Sequence, residues 1–137
     1  SLRRRHPGNP ESPLTIAVAI CSEDPRRDSY RIAGRLQEFG FRMIPVNPAV
    51  AGQQLHGVTC YASVREIPER VDMVDVFRRS EMVDPIVDDA IAHGATIVWM
   101  QLGIVNEAAA ERARQAGLTV VMDRCTARDY RRFFPTR

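Results

Sequence analysis

Arg78 and Arg79 stand where an apolar run, Met73-Val74-Asp75-Val76-Phe77, breaks off into polar residues. Two other apolar runs stop as abruptly: Met43-Ile44-Pro45-Val46 at Asn47-Pro48, and Thr96-Ile97-Val98-Trp99-Met100 at Gln101-Leu102-Gly103. A guanidinium is a planar fork of donors that matches phosphate, so two in succession suit an anionic ligand. The same pair can instead neutralise Glu81 and Asp84 at the surface, and the sequence leaves both readings open. Asp75, inside its apolar run, is either a buried, hydrogen-bonded structural carboxylate or a base. Cys21, just past the run Thr15-Ile16-Ala17-Val18-Ala19-Ile20, is either a small buried residue or a nucleophile, and no histidine is placed beside it by sequence.

Other chemistries are excluded or disfavoured. All 19 basic residues are arginine, so neither a lysine Schiff base nor a GxxxxGK-type phosphate loop is available. Cys21, Cys60 and Cys125 are odd in number and lack CxxC spacing, which argues against a disulfide framework and a structural zinc site. His6, His56 and His93 are scattered, so no metal site is expected. A nicotinamide dinucleotide fold needs GxGxxG after its first strand and an acid after its second; this chain has Ile20-Cys21-Ser22-Glu23-Asp24-Pro25 and Asn47.

These residues need a frame to hold them. Short apolar runs alternating with helical periodicity are the mark of a parallel sheet covered on both faces. Strands are expected at 15–20, 41–46, 58–61, 71–77, 96–100 and 118–122. Helices are expected at 29–39, capped by Asp28 or Ser29 and stopped by Gly40; from Asp84-Pro85 to Gly94; and from Asn106 to about Ala116. Ser63 to Glu66 matches a capping box for one turn, and 49–57 reads as a surface loop. In such sheets ligands bind beyond the carboxyl ends of the strands, where the three polar segments fall. The loop before the first helix adds free N–H groups and a partial positive charge suited to phosphate.

The fold class is therefore α/β: a Rossmann-like parallel sheet of five to six strands with helices on both faces. At 137 residues the chain reads as a single domain over 15–126, between a basic N-terminal tail, 1–14, and a basic C-terminal tail, 127–137. The formal charge of +2 hides an acidic middle. The tails are short, and only Tyr130, Phe133 and Phe134 interleave the arginines, so they read as solvated rather than as contacts for nucleic acid or membrane. No run nears the roughly 18 apolar residues of a membrane span, and residues 1–13 lack a signal-peptide stretch. The expectation is a cytoplasmic protein. Trp99 reads as core or interface; Met82, Met100 and Met122 read as packing.

Ser29-Tyr30-Arg31, Pro45-Val46-Asn47-Pro48, the run from Val71 to Glu81, Trp99-Met100-Gln101-Leu102-Gly103 and Val121-Met122-Asp123-Arg124-Cys125 together resemble the small bacterial CoA-binding domain proteins. Those proteins are similar to the CoA-binding domain of succinyl-CoA synthetase alpha subunits. The resemblance covers roughly 15–125 and implies a stand-alone Rossmann-like domain that binds coenzyme A or an acyl-CoA, with no established catalytic activity and no catalytic residue. By position, it implies the nucleotide end of CoA near Ser22, Pro25, Arg27, Ser29 and Tyr30. Asn47, Pro48, Phe77, Arg78, Arg79, Gln101, Leu102 and Gly103 would line the rest of the cleft. The arginines suit phosphate, and proline and phenylalanine offer apolar faces to an adenine or a pantetheine arm. A homodimer or a partner protein stays open.

One position departs from this pattern. The family's Gly-x-Ser becomes Ile20-Cys21-Ser22, and an isoleucine can fill the space through which a backbone approaches a pyrophosphate. Two further readings follow: a member that has lost CoA and serves as an interaction or scaffold subunit, or an enzyme acting on a CoA thioester through Asp75 or Cys21. Nothing resembles the phosphohistidine segment or nucleotide-grasp domain of the acyl-CoA synthetases, which weighs against the enzyme.

Overall fold

Five of the apolar runs pair side by side. The computed structural model describes residues 14–133. Along the chain run β1 (Thr15–Ala19), α1 (Asp28–Glu38), β2 (Arg42–Val46), β3 (Gln54–Leu55), β4 (Val58–Thr59), β5 (Met73–Val76), α2 (Asp84–His93), β6 (Ile97–Met100), α3 (Glu107–Gln115), β7 (Thr119–Val121) and α4 (Thr126–Phe133). β2, β1, β5, β6 and β7 form one sheet in that order, every pair parallel. This is the expected Rossmann-like α/β architecture, with five strands.

The short run at 58–61 does not join that sheet as a strand. Val58–Thr59 pairs antiparallel with Gln54–Leu55, and Tyr61 alone makes a parallel bridge to Val46. His56 and Gly57 at the tip both have positive φ, 53° and 78°, the backbone of a tight I′-type hairpin. Strands of two residues carry too little periodicity to read from sequence, so the first half of the ribbon passed for loop.

Each strand alternates its side chains between two cores. Ile16, Val18, Met73 and Trp99 pack with Ala33 and Leu36 of α1, and Tyr130 of α4 lies against the same cluster. Ala17, Ala19, Val74, Val98 and Met100 pack with Val87 and Ala90 of α2 and Ala109, Ala110 and Ala113 of α3. Helices thus cover both faces. Each of the large aliphatic side chains buried here contributes about 1.5–3 kcal/mol.

The stretch from Thr126, read as the end of the domain and the start of a basic tail, is an eight-residue helix. Its inward residues are Thr126, Asp129 and Tyr130: two polar groups and one aromatic in place of an aliphatic stripe, which conceals the helical period. Tyr130 meets Phe41 edge-on at 5.0 Å and stacks on fully buried Trp99 at 6.4 Å, and Trp99 Nε1 donates to the Arg124 carbonyl at 2.7 Å.

Asn106 caps α3 as expected, its Oδ1 accepting from Ala109 N at 3.0 Å. The start of α1 differs. Arg27 occupies the N-cap and no side chain caps the helix; Ser29 Oγ accepts instead from Ser22 N at 2.8 Å. Among the described residues no helix is long and apolar enough to cross a membrane.

Candidate functional site

Ala19, Val46, Val76 and Met100 lie in one row of the sheet register. Ile20, Asn47, Phe77 and Gln101 therefore leave the carboxyl edge side by side. β1 lies between β2 and β5, so the chain turns one way from β1 to β2 and the other way to β5. That reversal is the switch point at which an open α/β sheet leaves a crevice. A cleft of about 720 Å³ opens there, lined by Ile20, Ser22, Arg26, Arg27, Asp28, Ser29, Asn47, Phe77, Arg78 and Arg79.

The loop that walls the cleft is held by its own polar groups. Ser22 Oγ accepts from Asp24 N at 2.9 Å, and Asn47 Nδ2 donates to the Cys21 carbonyl at 2.8 Å, tying the end of β2 to the loop after β1. Asp24 holds Arg26 through two side-chain bonds of 3.1 and 3.0 Å, and that bonding keeps its carboxyl below the ordinary range. Arg79 lies 3.8 Å from Glu81. Among the described residues, Arg27 and Arg78 form no ion pair. The first N–H groups of α1, with no capping side chain, join these two guanidiniums as donors for an anion.

An apolar pocket of about 180 Å³ adjoins the cleft across Ile20 and Arg78. Val46, Pro48, Ala62, Val64, Met82, Pro85 and Ile86 supply most of its wall. Apart from Pro48 and Ile20, the sequence did not single out these residues for ligand contact. They come from the end of β2, the 62–64 segment and the stretch from Met82 into α2, which only the fold brings together.

The structure distributes the sequence candidates unevenly. Ser22, Arg27, Ser29, Asn47, Phe77, Arg78 and Arg79 surround the cleft, joined by Arg26 and Asp28. Pro48 belongs to the side pocket. Pro25 is exposed on the loop outside the lining, and Tyr30 turns to His56, their rings 4.0 Å apart. Gln101 is 4% exposed, and its amide donates to Asp75 Oδ1 at 2.9 Å and Thr126 Oγ1 at 2.5 Å. Leu102 is 60% exposed, and Gly103, at φ 86°, donates its N–H to Asp123 Oδ1 at 2.7 Å. These last three residues sit at the same sheet edge but away from the cleft lining.

The two candidate reactive groups face inward. Burial, then neighbouring Cys60 and Asp75, push the Cys21 thiol up to about 12. Asp75 is fully buried, and loss of solvent raises its carboxyl to about 7 against the opposing hydrogen bonds from Gln101 and Thr126. Among the described residues no three His, Cys, Asp or Glu side chains cluster as a metal site.

Fold and site together define a Rossmann-like α/β domain with an arginine-lined cleft at its switch point. Residues 14–131 match the family described as CoA binding domain, and the chain belongs to that family. It is 37% identical over 110 residues to the Bacillus subtilis uncharacterized protein YneT, covering 80% of each chain. A solved Thermus thermophilus protein superposes with a TM-score of 0.83 at 35% identity, over 88% of this chain and 90% of that one. A 63-residue segment, 45% of this chain, is 40% identical to part of the alpha subunit of Pyrococcus furiosus acetate–CoA ligase (ADP-forming) II and covers 13% of that subunit.

Proposed function

We propose that this domain binds coenzyme A or an acyl-CoA in the cleft at the carboxyl edge of its sheet, without turnover of its own. The observation that carries the reading is the pair Arg27 and Arg78: two guanidiniums on one cleft with no ion-pair partner among the described residues, beside an uncapped helix N-terminus. Arg27 and the first turn of α1 would seat a diphosphate, and Arg78, on the rim shared with the side pocket, stands apart from that seat as a second phosphate donor. The side pocket, somewhat larger than the roughly 150 Å³ in which a protein interior holds a benzene ring, fits a planar base between Pro48, Val64 and Ile86. The pantetheine arm then runs along Phe77 toward exposed Leu102 and Gly103, beyond the cleft lining. Binding without chemistry is supported by the two groups that could react, since Cys21 and Asp75 are both buried away from the cleft.

The test is mass spectrometry of what co-purifies with the native protein, followed by calorimetric titration with coenzyme A. Arg27→Ala is expected to weaken binding by about 1.5–3 kcal/mol, the range for a hydrogen bond to a charged group. Added salt should weaken the native protein's binding as well, because the cleft is open. One observation favours the rival scaffold reading: Ile20 stands in the cleft wall where the family carries glycine. Absence of any CoA binding by the native chain would decide for it.

A further inference from the structure

We infer that Arg78 reads a phosphate carried on the ribose of the bound nucleotide, and so selects coenzyme A over dephospho-coenzyme A. The inference rests on the CoA reading above and deepens it. Cleft and side pocket share two lining residues, Ile20 and Arg78. A nucleotide with its diphosphate at the α1 N-terminus and its base in the side pocket must carry its ribose across that junction. Ile20 is apolar, so Arg78 is the one charged group there. The other arginines of the cleft are placed or occupied differently. Arg26 is tied to Asp24, Arg79 lies near Glu81 and donates to Met82 Sδ at 3.4 Å, and Arg27 immediately precedes α1.

The two carboxylates that line cleft and pocket are each paired with another arginine, Asp28 with Arg31. Asp89, which also lines the pocket, accepts from Arg65 Nε at 2.6 Å. At the end of β2, where NAD-binding relatives of this fold place an acid against the ribose hydroxyls, this chain has neutral Asn47. Its amide is already used, donating to the Cys21 carbonyl and accepting from Ala49 N at 3.0 Å. Neutral Asn47 carries no charge to repel a ribose phosphate. A guanidinium with no ion pair among the described residues, beside a neutral strand end, is also the arrangement by which such folds accommodate a phosphorylated ribose.

The experiment titrates the full chain with coenzyme A and with dephospho-coenzyme A, for the native protein, Arg78→Gln, Arg78→Lys and Arg27→Gln. The native protein should prefer coenzyme A by at least about tenfold, the worth of one hydrogen bond to a charged group. Arg78→Gln should erase that preference by weakening coenzyme A about tenfold more than dephospho-coenzyme A, Arg78→Lys should keep part of it, and Arg27→Gln should weaken both ligands equally. Arg78 is exposed, and matching thermal melts establish that the variants fold. Equal native affinities, or an Arg78→Gln loss shared equally by both ligands, would overturn the inference. If neither ligand binds the native chain, the CoA reading itself falls and takes this inference with it.

Discussion

Gln101 gives its side-chain amide to Asp75, with Nε2 2.9 Å from one carboxylate oxygen and 3.2 Å from the other. Thr126 Oγ1 donates to the same carboxylate at 2.7 Å and accepts from Gln101 at 2.5 Å, closing a ring of three side chains. The ring joins β5, the end of β6 and the first residue of α4. Each member satisfies the others in a place water does not reach, so loss of one leaves two buried polar groups short. Gln101, which the family pattern puts at the ligand, here fastens the C-terminal helix to the sheet.

The pH dependence of stability follows from this carboxylate. Its folded value of about 7 lies above the ordinary 3.8, so folding takes up a proton between them. The associated stability is fully present below pH 3.8 and is lost as pH rises through 7. The whole effect is on the order of 4 kcal/mol, about three pKa units at 1.36 kcal/mol each. Asp75→Asn keeps the shape and removes the charge. Measured against this variant, the native melting temperature should fall steadily from pH 4 to pH 7.5. A constant difference across that range would show that Asp75 stays ionised in the fold.

Gly34 is needed where α1 passes under the β3–β4 ribbon. A Cβ there would come within 2.8 Å of His56 Cε1. The ring cannot swing aside cheaply, because its Nε2 is bonded to the Tyr30 carbonyl at 2.7 Å and its face lies on Tyr30. Glycine to alanine in a helix is ordinarily worth about 1 kcal/mol of stabilisation. Gly34→Ala should instead lower stability by about 1–3 kcal/mol, the cost of overpacking. Chemical denaturation gives the sign, and faster amide exchange at 54–59 would locate the cause.

Ile20 is half-buried and packs against the core beneath α2 and α3 while walling the cleft. Its backbone N–H donates to the Phe77 carbonyl at 3.2 Å, tying the loop to β5. Ile20→Gly should cost roughly half of the 2–5 kcal/mol of a fully buried truncation. Coenzyme A affinity should change by less than about threefold. A large gain in affinity, read by calorimetry on the folded variant, would mean that this side chain obstructs the ligand.

Cys21 should resist alkylation in the native state. With its thiol at about 12, roughly one molecule in ten thousand carries a thiolate at pH 8, and the sulfur is buried as well. Peptide mapping after iodoacetamide treatment should find half-exposed Cys125 modified and Cys21 intact until denaturant is added. Early labelling of Cys21 would reveal opening of the loop after β1.

The sequence by itself determined the parallel sheet, because buried strands must be continuously apolar and the chain shows such runs at the right spacing. It also placed Asn47 and Arg78 at one edge, since strand ends fall where those runs stop, and it identified the cap at Asn106. Its motifs carried the family as well. Tertiary structure alone decided which edge residues face the cleft. Gln101 turns inward because Asp75, one residue before the end of the neighbouring strand, needs a partner; Tyr30 turns aside because His56 arrives from a hairpin of two-residue strands. Only the fold built the side pocket, which draws on residues from Ala19 to Asp89, and only the fold revealed α4, whose buried stripe is polar and aromatic. Periodicity records how much of an element is buried; it does not record which distant side chain will satisfy a buried polar group.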